Sequence, residues 1–447
     1  MTGAFAAVDV GVERGRVVVG RLDEARVSLQ EVHRFPNPTA RVDGTLRWNI
    51  ERLYGEILAG LGMAARAHPT LTSVAIDAWG MDFGLLDVHG ELLGAPFHHR
   101  DRSTEGVPAR LHGRVPEAEL WAATGVQSTP IHTLHQLYAM RRRRSSTLHR
   151  AARLLLIPDL LGSWLCGVDV AEHTIASTTQ CYDLERRAWT TSLLGRAGIP
   201  VHLFPPVVPP ATVLGPVSAA RGRRAGLAGV RVVAAAGHQA AAAVGAIPAA
   251  PASLACVTAG ASSLVGTVIA APVRTEAAWK LGLTNEAGVD GTVWLHREVA
   301  GLGPSQGCGR AWVAAEALGD ARAAAARTRL GLAMECRRAL RELEELLGRR
   351  LESVHVLGEG ARDALLCQLT ADACARPVLA GPVEAAALGN VLAQAVATGA
   401  CRSWGEARSL ARRSFTPRAY EPKTAAAGNE AGAWTELLLE AARPASS

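Results

Sequence analysis

Short apolar runs closed by glycine alternate along this chain with longer stretches whose apolar residues recur at helical spacing. The chain opens with AFAAVDVG, an apolar run that ends at Gly11, and continues with ERGRVVVGRL, a second run flanked by glycines. That arrangement predicts a strand, a tight turn and a returning strand. LRWNIERLYGEILAGLGMAARA places Ile50, Leu53, Ile57, Leu58 and Leu61 at helical spacing, and TSVAIDAWG then reads as a buried strand. Farther on, SLACVTAG and ASSLVGTVI repeat the run–glycine–run arrangement, so each half opens on a hairpin. VHVLGEGARDALLCQLTADACARPVLAGPVEAAALGNVLAQAVATG then predicts strand, glycine turn, helix, strand, loop and helix. Strands alternating with helices in this way predict an α/β protein.

Length changes this picture first. A chain of 447 residues exceeds one ordinary core and predicts two domains of roughly 200 residues each. We place them at 1–235 and 236–425, with a tail at 426–447, and read the proline-rich 199–217 as a stiff connection near the junction. The net charge of +6 carries little weight, because only two of the 47 basic residues are lysines (Lys280 and Lys423), which points to a coding bias. The run Arg141–Arg144 lacks interleaved aromatics and reads as the solvated end of a helix, so no nucleic-acid partner is expected. Eight scattered cysteines form no CxxC and no zinc spacing, which fits reduced thiols in a cytoplasmic protein. Residues 232–273 contain no Asp, Glu, Lys or Arg, but glycine, serine, proline and the pair His238–Gln239 interrupt them. They predict a domain interior rather than a membrane span, and no signal peptide is expected.

The segments VAIDAWGMDFGLLD, HHRDRSTEG, TGVQSTPIHTLHQL, LLIPDLLGSWL, EHTIASTTQ, GHQAAAAV, GASSLVG, LTNEAGVDG, VLGEGARDALLCQLTADAC and GPVEAAALGN follow in that order. Together they resemble the rhamnulokinases of the FGGY carbohydrate kinase family from about residue 5 to 422. The resemblance implies two actin-like ATPase domains of ribonuclease H-like fold around a central cleft, the second shortened in the segment around 310–350. It implies ATP and Mg²⁺ as cofactors and L-rhamnulose or a related ketose as phosphoryl acceptor. On the sugar side it implies Gly80, Asp82, His238 and Glu298, with Arg100, Asp101 and Gln127 also matching. For nucleotide it implies Gly11, Gly15, Arg16, Ala261, Gln306, Gly358 and Gly360, and for metal Asp9.

At several of these positions the residue departs from the family pattern. Where the family carries its catalytic Asp, heading an alanine-rich helix, this chain carries Gln239, and an amide cannot hold a proton near neutral pH. In the first loop Glu13 and Arg14 replace small hydroxyl residues, Ala261 replaces a threonine, and Glu359 replaces a glycine. Arg14 stands ready to offset Glu13, while nothing in the sequence offsets Glu359. Glu298 replaces an asparagine that contacts sugar and invites the idea of a relocated base. The resulting expectation is a pseudokinase, a rhamnulokinase-like protein of low or absent activity. The alternatives are a non-catalytic scaffold that binds a sugar or a partner protein, and an active kinase on another ketose.

Overall fold

The computed structural model describes residues 3–23, 25–247, 253–259, 262–300 and 321–423. The chain forms two compact units, the first built from Met1–Ala249, Ala270–Trp294 and Ala386–Ser414, the second from Ala250–Ile269, Leu295–Ala385 and Phe415–Ser447.

The first unit is centred on a sheet of β1 (Gly3–Val10), β2 (Arg14–Leu22), β3 (Val27–Pro36), β4 (Leu71–Ala78), β5 (Thr212–Pro216) and β6 (Arg231–Ala234). Its order is β5-β6-β4-β1-β2-β3. β1 to β3 form an antiparallel meander, β4 runs parallel to both β1 and β6, and β5 closes the edge antiparallel to β6. Central strands covered on both faces need near-continuous apolar sequence, and Phe5 to Val8 are buried accordingly. Helix α1 (Ile50–Ala67) packs on β2 and β3 through Ile50, Leu53, Ile57, Leu61 and Ala64. Each large aliphatic side chain buried there contributes about 1.5–3 kcal/mol. Asn49 begins the helix by accepting the Arg52 N–H.

Two further helices matter for the site. The alanine run becomes α2 (Gln239–Gly245), and α3 (Ala385–Ala397) packs directly across it. A Cβ on Gly389 of α3 would lie 1.8 Å from the Ala242 carbonyl oxygen. The lone glycine and the alanines are therefore what let two helix backbones come this close. Contrary to the boundary expected at 235/236, α2 belongs to the first unit, and Ala270–Trp294 and Ala386–Ser414 return to it. The proline-rich 199–217 is likewise internal to this unit and supplies edge strand β5.

The second unit repeats the plan with β7 (Leu254–Thr258), β8 (Ser262–Ile269), β9 (Val293–Ala300), β10 (Ser353–Leu357), β11 (Val378–Ala380) and β12 (Arg418–Tyr420). Its order is β9-β8-β7-β10-β11-β12, with β7 antiparallel to β8 and parallel to β10. The order β3-β2-β1-β4-β6 of the first unit and β9-β8-β7-β10-β11 of the second coincide element for element. That is the duplication hinted at by the two glycine-turn hairpins.

Candidate functional site

In the first unit the site lies at the carboxyl ends of β1 and β4 and the head of α2, where parallel strands leave a crevice. Asp9 near the end of β1 stands in register with Asp77 near the end of β4. The Ala78 N–H donates to the Gly237 carbonyl at 2.9 Å, which fixes the start of α2 against β4. The segment before α2 is also held from the other side. Gly237 N–H donates to Glu172 Oε2 at 2.8 Å, and His238 N–H donates to Thr174 Oγ1 at 3.0 Å. Thr174 in turn donates its hydroxyl to Glu172 at 2.5 Å. Burial pushes the Glu172 carboxyl upward, against the pull of these donors. The His238 ring places Nδ1 3.2 Å from Glu286 Oε2, with both side chains almost wholly enclosed.

Gln239 is half-buried and donates its Nε2–H to Asp9 Oδ1. The other oxygen, Asp9 Oδ2, takes Arg16 Nη2 at 2.7 Å and Nε at 2.9 Å. Both oxygens of Asp9 therefore face N–H donors. Behind them, Asp77 accepts Asn390 Nδ2 at 2.6 Å; burial first, then the Asp9 charge, pushes its carboxyl well above the usual range. Magnesium requires oxygen lone pairs directed at one centre. As arranged, Asp9 Oδ2 is taken up by the Arg16 guanidinium and Oδ1 faces the Gln239 amide, so a cation there would lie beside a fixed positive charge, and among the described residues no group of three or more His, Cys, Asp or Glu side chains is placed to hold a metal. The residues present do not fit the expected metal at Asp9.

A second cluster surrounds Asp82, which is completely buried. Its Oδ2 accepts Trp48 Nε1 at 2.7 Å, Trp79 Nε1 at 2.9 Å, His99 N–H at 3.2 Å and His99 Nδ1 at 2.8 Å. Oδ1 accepts Gln136 Nε2 at 2.9 Å. Burial by itself would raise this carboxyl, but His99, Gln136 and Trp48 together hold it below the usual range. Trp48 stacks on His98 with centroids 4.2 Å apart and meets Trp79 at the same separation. Asp82, expected to touch sugar, thus has its acceptors filled by the protein and orders an aromatic wall instead. Gly80 packs against Thr178, where a Cβ would come within 2.8 Å of the hydroxyl. Gln127 gives its amide to the carbonyls of Trp279 and Leu283, Asp101 accepts the Leu46 N–H, and Arg100 is exposed.

The phosphate-loop positions fare unevenly. Gly11 closes the β1–β2 turn with its N–H on the Arg14 carbonyl, and a Cβ there would stand 4.0 Å from the Gln239 amide nitrogen. Gly15 is required by Phe35, whose ring would meet a Cβ at 2.3 Å, so packing alone accounts for it. In the second unit, Gly358 adopts φ +71°, and a Cβ on Gly360 would meet Ala259 at 2.3 Å. Glu359, which the sequence left without a counter-charge, has Arg362 at 3.4 Å; Glu13 has Arg14 at 3.9 Å. Glu298 is exposed on β9. Ala261 and Gln306 lie outside the described residues.

Glu172, Glu286, Asp77, Trp48 and Gln136 were not singled out in the sequence. The isolated acids in apolar runs (AIDAWG, VAEHT, LTNEAG) carried the only available signal.

Residues 5–245 match the model of the FGGY family of carbohydrate kinases, N-terminal domain, and 319–398 match its C-terminal domain. The rhamnulokinase of Bacteroides thetaiotaomicron is 33% identical, covering 96% of this chain and 97% of its own. That of Pectobacterium carotovorum subsp. carotovorum is also 33% identical, over 96% and 95%. Among solved structures, the gluconate kinase from Lactobacillus acidophilus superposes with a TM-score of 0.80 at 13% identity, covering 99% and 97% of the two chains. The xylulose kinase from Rhodospirillum rubrum gives 0.77 at 18%, covering 97% and 96%. Matching domain models, full-length rhamnulokinase relatives and a duplicated ribonuclease H-like topology agree, and the chain belongs to the FGGY family of carbohydrate kinases.

Proposed function

We propose that this protein binds an L-rhamnulose-type ketose in its first unit and is strongly impaired in transferring a phosphoryl group to it from ATP. The observation that carries this reading is Gln239, which stands at the head of α2 with its amide committed to Asp9. Phosphoryl transfer to a hydroxyl relies on positioning, charge neutralisation and a group that receives the hydroxyl proton. A carboxamide orients a hydroxyl through its oxygen but takes no proton. Losing a positioned general base costs roughly 10²–10⁴ in rate. The sugar-side elements retain their order: His238 is held by Thr174 and Glu286, and the aromatic wall is held by Asp82. Exposed Glu298 offers little as a relocated base, since a base works within hydrogen-bond reach of its proton in a site closed to water.

The test is ATP-dependent phosphorylation of L-rhamnulose by the purified protein and by Gln239→Asp in parallel, with the sugar's effect on thermal unfolding. We expect a wild-type rate far below the usual ~1–10³ s⁻¹, a rise in Tm with sugar by mass action, and a faster Asp variant. Ordinary wild-type turnover would overturn the reading, as would sugar that leaves Tm unchanged.

A further inference from the structure

We propose that the Gln239 carboxamide takes, towards Asp9, the electrostatic place of a divalent cation, so that the acidic strand ends of the first unit are held together without metal. This shares with the proposed function the placement of Gln239, but depends on neither the sugar nor any turnover.

The argument starts from charge. Asp9 is nearly buried and is matched one-to-one by Arg16, itself largely enclosed, through a two-pronged contact at 2.7 and 2.9 Å. The remaining oxygen receives the hydrogen of Gln239. The side-chain contacts at both oxygens include nitrogens bearing hydrogen, and the neighbouring Asp77 carboxyl, pushed up first by its burial and then by the Asp9 charge, completes the cluster. A dication entering there would have to displace the amide and lie beside the Arg16 guanidinium. The first forfeits a buried hydrogen bond, and the second sets two positive charges together where little water screens them.

Asn390, which donates to Asp77 at 2.6 Å, continues the pattern: amide hydrogens from α2 and α3 cover the ends of β1 and β4. With a carboxylate at position 239, two acids would face one arginine. The surplus negative charge would then need a cation or a proton. Both oxygen donors would also be of the kind that divalent ions prefer. The single exchange from acid to amide therefore removes both the proton acceptor and the demand for metal at this point.

The experiment uses the full chain without sugar or nucleotide. Thermal unfolding is followed in chelator and in millimolar MgCl₂, and Mn²⁺ binding is followed by electron paramagnetic resonance, for wild type, Gln239→Asp and Asp9→Asn. The expected wild-type midpoint is the same in both buffers. Gln239→Asp is expected to unfold earlier in chelator, to recover with Mg²⁺, and to bind Mn²⁺ about tenfold more tightly or better, as added ligand charge dictates. A wild-type midpoint that rises with Mg²⁺, together with Mn²⁺ binding lost in Asp9→Asn, overturns the proposal. A Gln239→Asp protein that folds but ignores both ions overturns it too. Should that variant fail to fold, wild type against Asp9→Asn still decides, because a Mn²⁺ site dependent on Asp9 is excluded by the proposal. Failure of the sugar-binding reading would appear separately, in the absence of a sugar-dependent shift.

Discussion

Asp82 shows how far a single residue's role depends on its surroundings. Five donor contacts from four residues converge on one buried carboxylate. Asp82→Ala would leave two indole N–H groups, an imidazole and an amide without their acceptor. Removing one partner from such a buried charged network costs roughly 3–5 kcal/mol, so denaturant unfolding should show a loss of that size. A loss under 1 kcal/mol, about what a single hydrogen bond is worth, would mean that the donors find other partners. His135 gives a prediction of a different kind. Burial first, then His132 and His112, lowers its folded pKa to about 3, whereas an unfolded histidine titrates near ~6.5. Between these values the unfolded chain holds the extra proton. The neutral imidazole's contribution is therefore complete above the unfolded pKa and declines as pH falls through this window. Relative to His135→Gln, wild-type stability should fall by ~1.4 kcal/mol for each pH unit below about 6. Unfolding curves at a series of pH values check this, and a constant difference would show that the folded imidazole also protonates.

Between elements, the decisive contact is α2 against α3. A seven-residue helix so rich in alanine has little apolar surface for anchoring itself. It gains its place through backbone proximity to Gly389 and through the Glu172–Thr174 clasp on Gly237 and His238. Gly389→Ala would drive a methyl into the Ala242 carbonyl, and overpacking of this sort costs about 1–3 kcal/mol. Because α2 carries Gln239 at its head, the same change should weaken sugar-dependent thermal stabilisation more than Gly55→Ala. Gly55 lies within α1, and a Cβ there meets nothing within 4 Å. Equal effects of the two substitutions would separate helix packing from the site.

Over the whole chain, each unit carries the same strand order over its five central positions, and the two differ in the charges placed on it. The first keeps an enclosed polar cluster in which Asp9 takes Arg16 and Gln239, and Asp77 takes Asn390. In the second, the exposed loop residue Glu359 has Arg362 at 3.4 Å. Among the described residues no helix is long and apolar enough to cross a membrane, and the seven described cysteines are unpaired.

Much of this was legible in the linear chain. Glycine between apolar runs marked both hairpins and helical spacing marked α1, while the exchange at Gln239 was visible only through the resemblance to the FGGY family, whose pattern implies an Asp there. The first two are local properties, set by backbone sterics and by the period at which side chains reach one face. What Gln239 touches was not legible, since Asp9 is 230 positions away in the sequence and only the parallel pairing of β1 with β4 brings the two strand ends to α2. The same holds for Asp82, whose oxygens are met by donors from positions 48, 79, 99 and 136. Sequence determined which groups this protein possesses. Tertiary structure decided which of them remain free to meet a ligand, because a hydrogen bond or charge pair is settled by distance in space and by the exclusion of water around it.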